Sequence, residues 1–459
     1  MSSLADRIRA VVGAGSSRGT TNPSAAITPI HGPQPPITPI PNPESPLTLI
    51  DALSPLGGGW LGSTYVVERR VAPTARHGRE AVGTFAESFD LASSQATLYT
   101  GGAPARAPFV FFDLETTGLS GGAGTQVFLV GCGWFDADAS FVTRQYLLTR
   151  YTDERPMLAL VAEELDRAGA LVSFNGKSFD APALETRYLF HRLPTNVRSL
   201  PHVDVLHPAR RFWKVQAGSP RELRSRRREV PAAAQSFGAS TDACSLAALE
   251  KQLLGVRRVG DVAGFDIPRR YFEFVRTGDS RLLAAVLEHN RHDLLTLAAL
   301  TARLFHVTLH GPEAARDARE ALALGHVYMR ADLVTRASDA YARAVAMTER
   351  GIVSQLVRIE SLRALALTHR RERNYAAAAA CWRRLLETPG CPPLVTRQAT
   401  EALAVHHEHR ERDLFAAKAF ALRSLELEAQ PAWTRAVQHR LARLERKLKL
   451  SEQPGWLLS

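Results

Sequence analysis

The spacing of apolar residues changes along the chain and separates regions of different fold class. Between residues 108 and about 306, short apolar runs alternate with stretches in which apolar residues recur every three or four positions. The elements that this pattern predicts are strands at 109–115, 125–135, 144–149, 170–175 and 203–206, and helices at 153–168 and 179–193. Three successive strands followed by alternating helices and strands predict an α/β domain over 108–308, in which a mixed sheet is flanked by helices.

The pattern over residues 309–459 is helical throughout. Two stretches repeat the order helix, polar turn, helix, with an Ala and an aromatic residue four positions apart on the second helix: Ala337/Tyr341 and Ala378/Trp382. A poorer third copy follows. A period near 40 residues resembles tetratricopeptide-type hairpins, although their usual period is nearer 34. Such hairpins stack into a concave surface that could recruit a protein partner, and a generic helical bundle is the alternative.

The first 107 residues are expected to contain little of the core. Residues 1–56 include the Pro-rich stretch ITPIHGPQPPITPIPNPESP. Pro at this density blocks helix and sheet hydrogen bonds, so this segment is predicted to be disordered, either as a tether or as a partner-binding segment. Residues 57–107 contain TYVVERRVA and ATLYT, which predict two short strands in a lead-in segment that packs on the α/β domain.

Composition favours a folded cytoplasmic protein with an anionic partner. The hydrophobic fraction of 45% is enough for a sizeable core. The four cysteines are far apart and form no CxxC pair, which argues against a disulfide framework or a zinc site. No apolar run reaches the roughly 18 residues of a membrane helix, so no membrane association is expected. The net charge of +11 favours nucleic acid as the partner, although Arg-rich chains are often basic for compositional reasons alone.

Two acids lie at the end of the most apolar predicted strand. Asp113 and Glu115 follow the continuously apolar residues 109–112, and the two-residue period of a strand places both acids on one face. Neighbouring carboxylates destabilise each other unless a cation compensates, and Mg²⁺ and Mn²⁺ prefer carboxylate oxygens. A pair of such ions is suited to attack on a phosphodiester. The alternative, two acids at an exposed strand end, does not explain the apolar run before them.

Further acids follow at the ends of other predicted elements. Asp180 opens a helix shortly after the strand that runs into Asn175. There it could be a metal ligand or simply the N-cap of the helix. His289 and Asp293 are four residues apart and therefore share one face of a predicted helix, beside its apolar stripe. Together these positions indicate a candidate metal site assembled from three separate elements.

Three stretches resemble the motifs of the DEDD exonucleases of the ribonuclease H-like superfamily: FFDLETTGL, FNGKSFDAPALETRY and HNRHDLLTL, in this order and spacing. A closer resemblance is to the YprB-type ribonuclease H-like proteins, whose members often carry tetratricopeptide-type repeats after the nuclease domain. It is carried by GLSGGAGTQVFLVG, HVDVLHPARRFW and LEKQLLGVRRVGDVAGFDIPRRYFEFVRTGD. The resemblance covers residues 60–306 well and the tail more loosely. The motifs are specific as a set, and each alone would be weak.

The resemblance implies a 3′–5′ exonuclease with two divalent ions, Mg²⁺ or Mn²⁺. Its four metal-binding carboxylates would be Asp113, Glu115, Asp180 and Asp293. In the superfamily the general base is a His five residues before the last acid or a Tyr four residues before it. Here His289 stands four residues before and Glu288 five, so the sequence fits neither subgroup. His289 could accept a proton from the attacking water near neutral pH, or only orient that water.

Candidate substrate contacts fall in three places. In the superfamily the turn after the first acids touches the terminal nucleotide; the matching residues are Thr116, Thr117, Gly118 and Leu119, with a purely structural turn as the alternative. Asn175 and Lys177 are candidates for phosphate contacts, and Asn175 could equally bond within its own turn. A basic segment with aromatic residues between the second and third motifs suits a single strand, although such runs are usually solvated loops. Its candidate residues are Arg210, Arg211, Trp213, Arg224, Arg226, Arg227 and Arg228.

The sequence therefore predicts a metal-dependent nuclease that acts on single-stranded ends of DNA or RNA. A different class of function stays open: a nucleic-acid-binding scaffold with little or no catalysis that recruits a partner through its helical repeats. The complete set of carboxylates disfavours the scaffold, because a binder gains nothing from acids that face phosphate. A small-molecule phosphodiesterase is a third alternative.

Overall fold

The computed structural model describes residues 52–118, 124–214, 244–350, 355–426 and 431–451, and all of these belong to one compact unit. They form a mixed seven-stranded sheet flanked by helices, followed by a helix-rich C-terminal part. The fold class predicted from the hydrophobic pattern is therefore confirmed.

The main sheet has the parallel and antiparallel strands that the pattern predicts. The strands of the described ranges are β1 (Gly59–Leu61), β2 (Thr64–Val71), β3 (Arg76–His77), β4 (Glu80–Ala81), β5 (Phe109–Thr116), β6 (Val127–Phe135), β7 (Phe141–Leu147), β8 (Ala170–Ser173) and β9 (His202–Asp204). The main sheet has the order β1-β2-β7-β6-β5-β8-β9, while β3 and β4 pair with each other. Because β5–β8 and β8–β9 are parallel pairs, their carboxyl ends meet at one edge of the sheet.

The lead-in segment 57–107 is an integral part of this sheet. β1 and β2 form its edge, since β2 pairs with β7 along its length. The stretch ATLYT is not a strand, so that prediction was wrong: Ser93–Leu98 form a 3₁₀ helix. Tertiary packing explains why this stretch is not a strand. The buried hydroxyl of Tyr99 lies 2.5 Å from Thr308 Oγ1, and the Tyr99 ring stacks on Phe305.

The last residues of the predicted disordered segment 1–56 belong to the folded core. Residues 1–51 lie outside the described ranges. Leu53 and Leu56, however, are buried in the core, and the turn Ser54–Leu56 is helical. The carbonyl oxygen of Leu53 accepts a hydrogen bond of 2.8 Å from Tyr65 Oη on β2, so these residues are fixed to the edge of the sheet.

In the part of the chain that the structure describes, helices cover both faces of the sheet and form most of the C-terminal region. In the described ranges the α-helices are α1 (Val82–Ala92), α2 (Glu154–Asp166), α3 (Asp180–Phe190), α4 (Leu206–Phe212), α5 (Leu246–Leu249), α6 (Ile267–Thr277), α7 (Arg281–His310), α8 (Ala318–Arg330), α9 (Val334–Arg350), α10 (Gln355–Arg371), α11 (Tyr375–Leu386), α12 (Pro393–His406), α13 (Leu414–Leu425) and α14 (Pro431–Ser451). Phe109 and Phe111 of β5 pack against α1 and α7 through Phe89 and Phe305. Phe112 faces the opposite cluster, which α2, α3 and α6 complete.

The long helix α7 is the core helix that carries the third motif. With the turn after it, this stretch is long and apolar enough to cross a membrane by length and composition, and 78% of its most apolar window is buried inside the protein. Burial of that kind is usual for a central helix of a globular fold. Its first half lies over the carboxyl end of β5 and the antiparallel β6 beside it, where Asn290 reaches Asp113 and Gly131, and its second half packs on α1.

The C-terminal helices form hairpins of a common design. α8/α9, α10/α11 and α12/α13 each turn through one residue in the left-handed conformation: Asp332, Arg373 and Arg412, about 40 residues apart. All four residues that marked the repeat in the sequence are buried. Gly325 on α8 permits a close approach of α9, since a Cβ there would lie 2.4 Å from the Tyr341 ring.

The hydrophobic core continues from the α/β part into these hairpins. One cluster of buried side chains includes residues of β5, α7, α8 and α10. α4 also contacts α8, where Trp213 Nε1 donates a hydrogen bond of 2.9 Å to Glu320 Oε1. The boundary predicted near residue 308 therefore separates two architectures and is not a break in packing.

Candidate active site

The first two acids lie on β5, at the edge where the parallel strands end. β8 pairs only with residues 109–111 of β5. Asp113 and Glu115 consequently extend past the end of β8, into the space that open α/β sheets commonly use for ligands. The ladder with β6 is irregular between Glu115 and Thr116, so regular pairing ends directly after the second acid.

Burial and mutual repulsion strongly disfavour the charged forms of these acids. Burial, followed by repulsion from Asp293 and other acids, raises the pKa of Asp113 well above its ordinary range. The same causes raise the pKa of Glu115 to about 8, with Asp293 and Asp180 as the largest sources of repulsion. Since Asp180 and Asp293 come from other elements, acids of three separate elements influence this position.

A buried amide holds Asp113 in place. Asn290 on α7 is fully buried, and its Nδ2 donates a hydrogen bond of 2.8 Å to Asp113 Oδ2. Gln145 on β7 donates in turn to Asn290 Oδ1, also at 2.8 Å. Gly131 lies opposite Asp113 on β6, and a Cβ there would lie 2.1 Å from Asn290 Oδ1. The glycine thus leaves the space that lets a helix side chain reach the acid.

The second acid position follows β8. Asp180 is the first residue of α3, whereas the N-cap is Phe179, so Asp180 is not the capping residue. Burial and the charge of Asp204 raise the pKa of Asp180 to about 7. Gly176 lets the turn before α3 pass close to Asp180. A Cβ at residue 176 would lie 3.0 Å from Asp180 Oδ2 and still closer to Ser173.

Asp204 at the end of β9 stabilises this turn. Its carboxylate accepts hydrogen bonds from the backbone N–H groups of Asn175, at 2.8 Å, and Lys177, at 3.1 Å. It also accepts one from the N–H of Leu206. Asn175 adopts a φ of 70°, a conformation that Asn tolerates better than most residues. Asn175 therefore has a clear role in the shape of the turn, which was the alternative to a phosphate contact.

The third acid has a cationic partner that sequence reasoning missed. Arg258 is 7% exposed, and its Nη2 lies 2.5 Å from Asp293 Oδ1. The same guanidinium contacts Glu250 at 2.6 Å and Asp261 at 3.2 Å. Three carboxylates thus surround one buried guanidinium, and these ion pairs attach the loop before α6 to α7.

His289 lies between two acids. Its Nδ1 is 2.7 Å from Asp261 Oδ1, and its Nε2 is 3.5 Å from Asp293 Oδ2. Burial opposes ionisation of Asp261, but the hydrogen bond with His289 and the nearby positive charge hold its pKa below the ordinary value. Glu288 points elsewhere, to Arg291. The structure therefore places His289, and not Glu288, beside the candidate acids.

The donor set fits divalent cations. Among the described residues, the side chains of Glu115 and Asp180 have no hydrogen-bond or ion-pair partner, although their charges interact with the other acids. Carboxylate oxygens without donors are ligands that hard cations such as Mg²⁺ prefer. The described ranges contain no ready-made cluster of three or more His, Cys, Asp or Glu side chains around a common point.

The predicted substrate contacts have mixed outcomes. Thr116 and Thr117 bond within their own turn, to the carbonyl oxygen of Gly118 and the N–H of Gln126. Lys177 is exposed beside the second acid. Arg210 and Arg211 are exposed on α4. The remaining candidates lie outside the described ranges: Leu119, Arg224, Arg226, Arg227 and Arg228.

The prediction that Trp213 stacks on nucleic acid was wrong. The side chain is 4% exposed, and its indole N–H is bonded to Glu320. Phe212 beside it is also buried. These aromatic residues belong to the core between α4 and α8. Local sequence could not indicate this contact, because the partner is more than 100 residues away.

Four site residues were missed by sequence reasoning: Asn290, Gly131, Arg258 and Asp261. Asn290 occupies an otherwise apolar helix stripe, and a polar residue in that position was a usable signal, since buried amides need partners. Arg258 and Asp261 lie within the stretch LEKQLLGVRRVGDVAGFDIPRRYFEFVRTGD, which carries the family resemblance. They fall in an irregular polar loop, and such a loop has no periodicity that predicts where its side chains point.

Comparison with known proteins agrees with this geometry. Residues 110–305 match the RNase H superfamily, a range that includes all four acids and His289. The chain is also 31% identical over 342 residues to a protein of Bacillus subtilis (strain 168) described as uncharacterized protein YprB. That match covers 73% of this chain and 74% of the relative. Residues 110–305 are therefore a ribonuclease H superfamily domain, and the chain belongs to the family of YprB.

Proposed function

We propose that the protein is a metal-dependent nuclease that removes nucleotides from the 3′ ends of DNA or RNA with two divalent ions, Mg²⁺ or Mn²⁺. The observation that supports this best is the raised pKa of Glu115, about 8, which results from burial and then from repulsion by acids of α7 and α3. Such an arrangement destabilises the fold, and it becomes favourable when cations lie between the acids. The superfamily has a nuclease-type fold, and its nucleases typically depend on divalent metals.

The proposed roles follow from the contacts of each side chain. The ions would be held by Asp113, Glu115, Asp180 and Asp293. Two bound ions would supply positive charge that activates water and stabilises the leaving oxygen. Asn290 holds Asp113 in a fixed orientation. His289 accepts the proton of the attacking water at Nε2, the nitrogen that faces Asp293.

The helical hairpins and the basic segment would serve the substrate or a partner. The recurrence of one left-handed turn residue in each hairpin supports tetratricopeptide-like repeats, whose concave face would bind a protein partner. Exposed Arg210, Arg211 and Lys177 would contact the phosphates of a single strand. In this proposal the protein acts in the cytoplasm.

The test is a nuclease assay with the purified full-length protein. Single- and double-stranded DNA and RNA, labelled at the 5′ end, are incubated with Mg²⁺, Mn²⁺ or EDTA and resolved at single-nucleotide resolution. We expect ladders that shorten from the 3′ end in Mg²⁺ or Mn²⁺ only. Asp113→Asn and Asp180→Asn should abolish them, whereas Asp266→Asn, outside the site, should not. Intact substrates under all conditions, or equal degradation by the Asp113 variant, would overturn the proposal.

A non-catalytic nucleic-acid-binding scaffold is the second candidate. The ion pair between Arg258 and Asp293 favours it, because the third acid already has a cationic partner. A scaffold would bind single-stranded nucleic acid equally well in EDTA and in Mn²⁺, and would leave it intact. Fluorescence anisotropy in both solutions, on the same oligonucleotides as the nuclease assay, distinguishes the two functions.

A further inference from the structure

The carboxylate of Asp261 is fully engaged on both oxygens. Oδ1 accepts from the N–H of Val262, at 2.9 Å, and is 2.7 Å from His289 Nδ1. Oδ2 accepts from Arg258 Nη1 at 3.2 Å. A backbone N–H and a guanidinium of its own loop thus hold the carboxylate of Asp261 in place. Its Oδ1 is a fixed hydrogen-bond acceptor for His289 on α7, 28 residues further along the chain.

This contact determines which nitrogen of His289 carries the proton in the neutral ring. An ionised carboxylate only accepts hydrogen bonds, so the nitrogen that faces it must be the donor. Nδ1 is therefore protonated, and Nε2 has a lone pair that points toward Asp293 Oδ2, 3.5 Å away. In this tautomer the ring can accept a proton on the side of the candidate active site.

We propose that Asp261 is the positioning residue of His289: it fixes the ring orientation and the Nδ1–H tautomer, and Arg258 keeps Asp261 in place. The proposal rests on the proposed function, since it adds the residue that makes His289 a base. Asp261 itself touches neither substrate nor the reacting atoms in this assignment. The arrangement follows the general logic by which a carboxylate orients a catalytic imidazole.

The competing explanation is that Asp261 only attaches its loop to the protein. Arg258 alone would then be its relevant partner, and its loss would loosen the loop without a specific effect on His289. Asp266 offers a matched control, because it lies in the same segment and pairs with Arg269 and Arg270 but not with the histidine. Asp261→Asn and Asp266→Asn each remove one negative charge without a change of shape.

The first experiment measures the tautomer directly. Protein labelled with ¹⁵N-histidine, free of metal and nucleic acid, is studied at pH 8 by long-range ¹H–¹⁵N correlation, with His289→Gln to assign the signal. We expect the Nδ1–H pattern in the parent protein and in Asp266→Asn. Asp261→Asn should shift the signal toward Nε2–H. An unchanged Nδ1–H pattern in Asp261→Asn would overturn the proposal.

The second experiment is a double-mutant cycle on the single-turnover cleavage rate. Asp261→Asn should lower the rate by about 10- to 100-fold, the usual effect of losing the partner of a functional histidine. In a His289→Ala background the same substitution should have no further effect. Mn²⁺ affinity, measured by calorimetry, should stay within about twofold. An equal additional loss in the His289→Ala background would show a structural role and overturn the proposal.

The two experiments fail in different ways. If the parent protein cleaves no nucleic acid, the proposed function is wrong, yet the tautomer measurement still tests whether Asp261 controls His289. If the parent cleaves but Asp261→Asn matches it in both rate and tautomer, only the positioning role is wrong. Asp261→Glu, which keeps the charge, should recover part of the rate.

Discussion

Replacing Glu115 with Gln should stabilise the metal-free protein at alkaline pH. Burial and repulsion from neighbouring acids raise the pKa of Glu115 from 4.5 to about 8. The folded state therefore binds this proton more tightly than the unfolded chain does. The resulting stability is fully present below about pH 4.5 and is lost as the pH rises through 8. Gln cannot ionise, so the variant keeps the stability that the parent protein loses as the pH rises.

The size of the effect follows from the same pKa. At 1.36 kcal/mol per pKa unit, the parent loses at most about 5 kcal/mol between pH 4 and pH 9 from this group. This is an upper limit, because several neighbouring acids compete with Glu115 for protons. At about 2.1 cal/mol/K of unfolding entropy per residue, a unit of roughly 400 residues gains about 1 °C in Tm per kcal/mol. We therefore expect the Glu115→Gln variant to melt higher than the parent at pH 9 by a few degrees, at most about 6 °C.

Calorimetric melting in EDTA at pH 5, 7 and 9 measures this difference. The gap between the parent and Glu115→Gln should be small at pH 5 and largest at pH 9. Millimolar Mn²⁺ should raise the Tm of the parent at pH 9 and have little effect on the variant. The control is Glu163→Gln, a change of the same kind at an exposed position. Equal Tm values for parent and variant at pH 9 would refute the reasoning, as would an equal gain in the control.

Three further substitutions test other parts of the structure. Gly131→Ala should cost about 1–3 kcal/mol and weaken Mn²⁺ binding, because its Cβ would displace Asn290; a normal Tm with normal Mn²⁺ affinity by calorimetry would contradict this. Trp213→Phe should lose about 1–3 kcal/mol of stability with its buried hydrogen bond and leave single-strand binding, measured by anisotropy, unchanged. His289→Ala should lower the single-turnover rate about 10²- to 10⁴-fold and Glu288→Ala only slightly; the reverse order would mean that the base is misassigned.

Sequence periodicity was sufficient to predict an element where the apolar pattern of that element itself shows which of its faces are buried. The run Phe109–Phe112 predicts β5 because each side chain packs on one of the two covered faces of the sheet. The positions of Asp113 and Glu115 at its end then follow from the strand period alone. The helix bearing His289 was equally readable, since its apolar stripe runs along the face that covers the sheet.

Contacts between distant segments were not readable in the same way. β2 has the composition of an ordinary short strand, and nothing local indicates that it and β1 complete the edge of a larger sheet. Trp213 stands in a basic stretch that looks like a nucleic-acid surface, yet it is buried against α8. In each case the deciding partner is remote in sequence, so local composition did not indicate it.

The distribution of charge in the site shows most clearly what the fold adds to the sequence. The sequence identifies the acids but treats them as equivalent. In the structure Asp293 is paired with Arg258 and Asp113 with the amide of Asn290. Within the described residues Glu115 and Asp180 have no such partner. The carboxyl groups that no other side chain stabilises in their charged form therefore lie on β5 and at the start of α3, and a cation gains most by binding there. Neutralising Glu115 or Asp180 should thus reduce metal affinity more than the loss of Arg258 changes it.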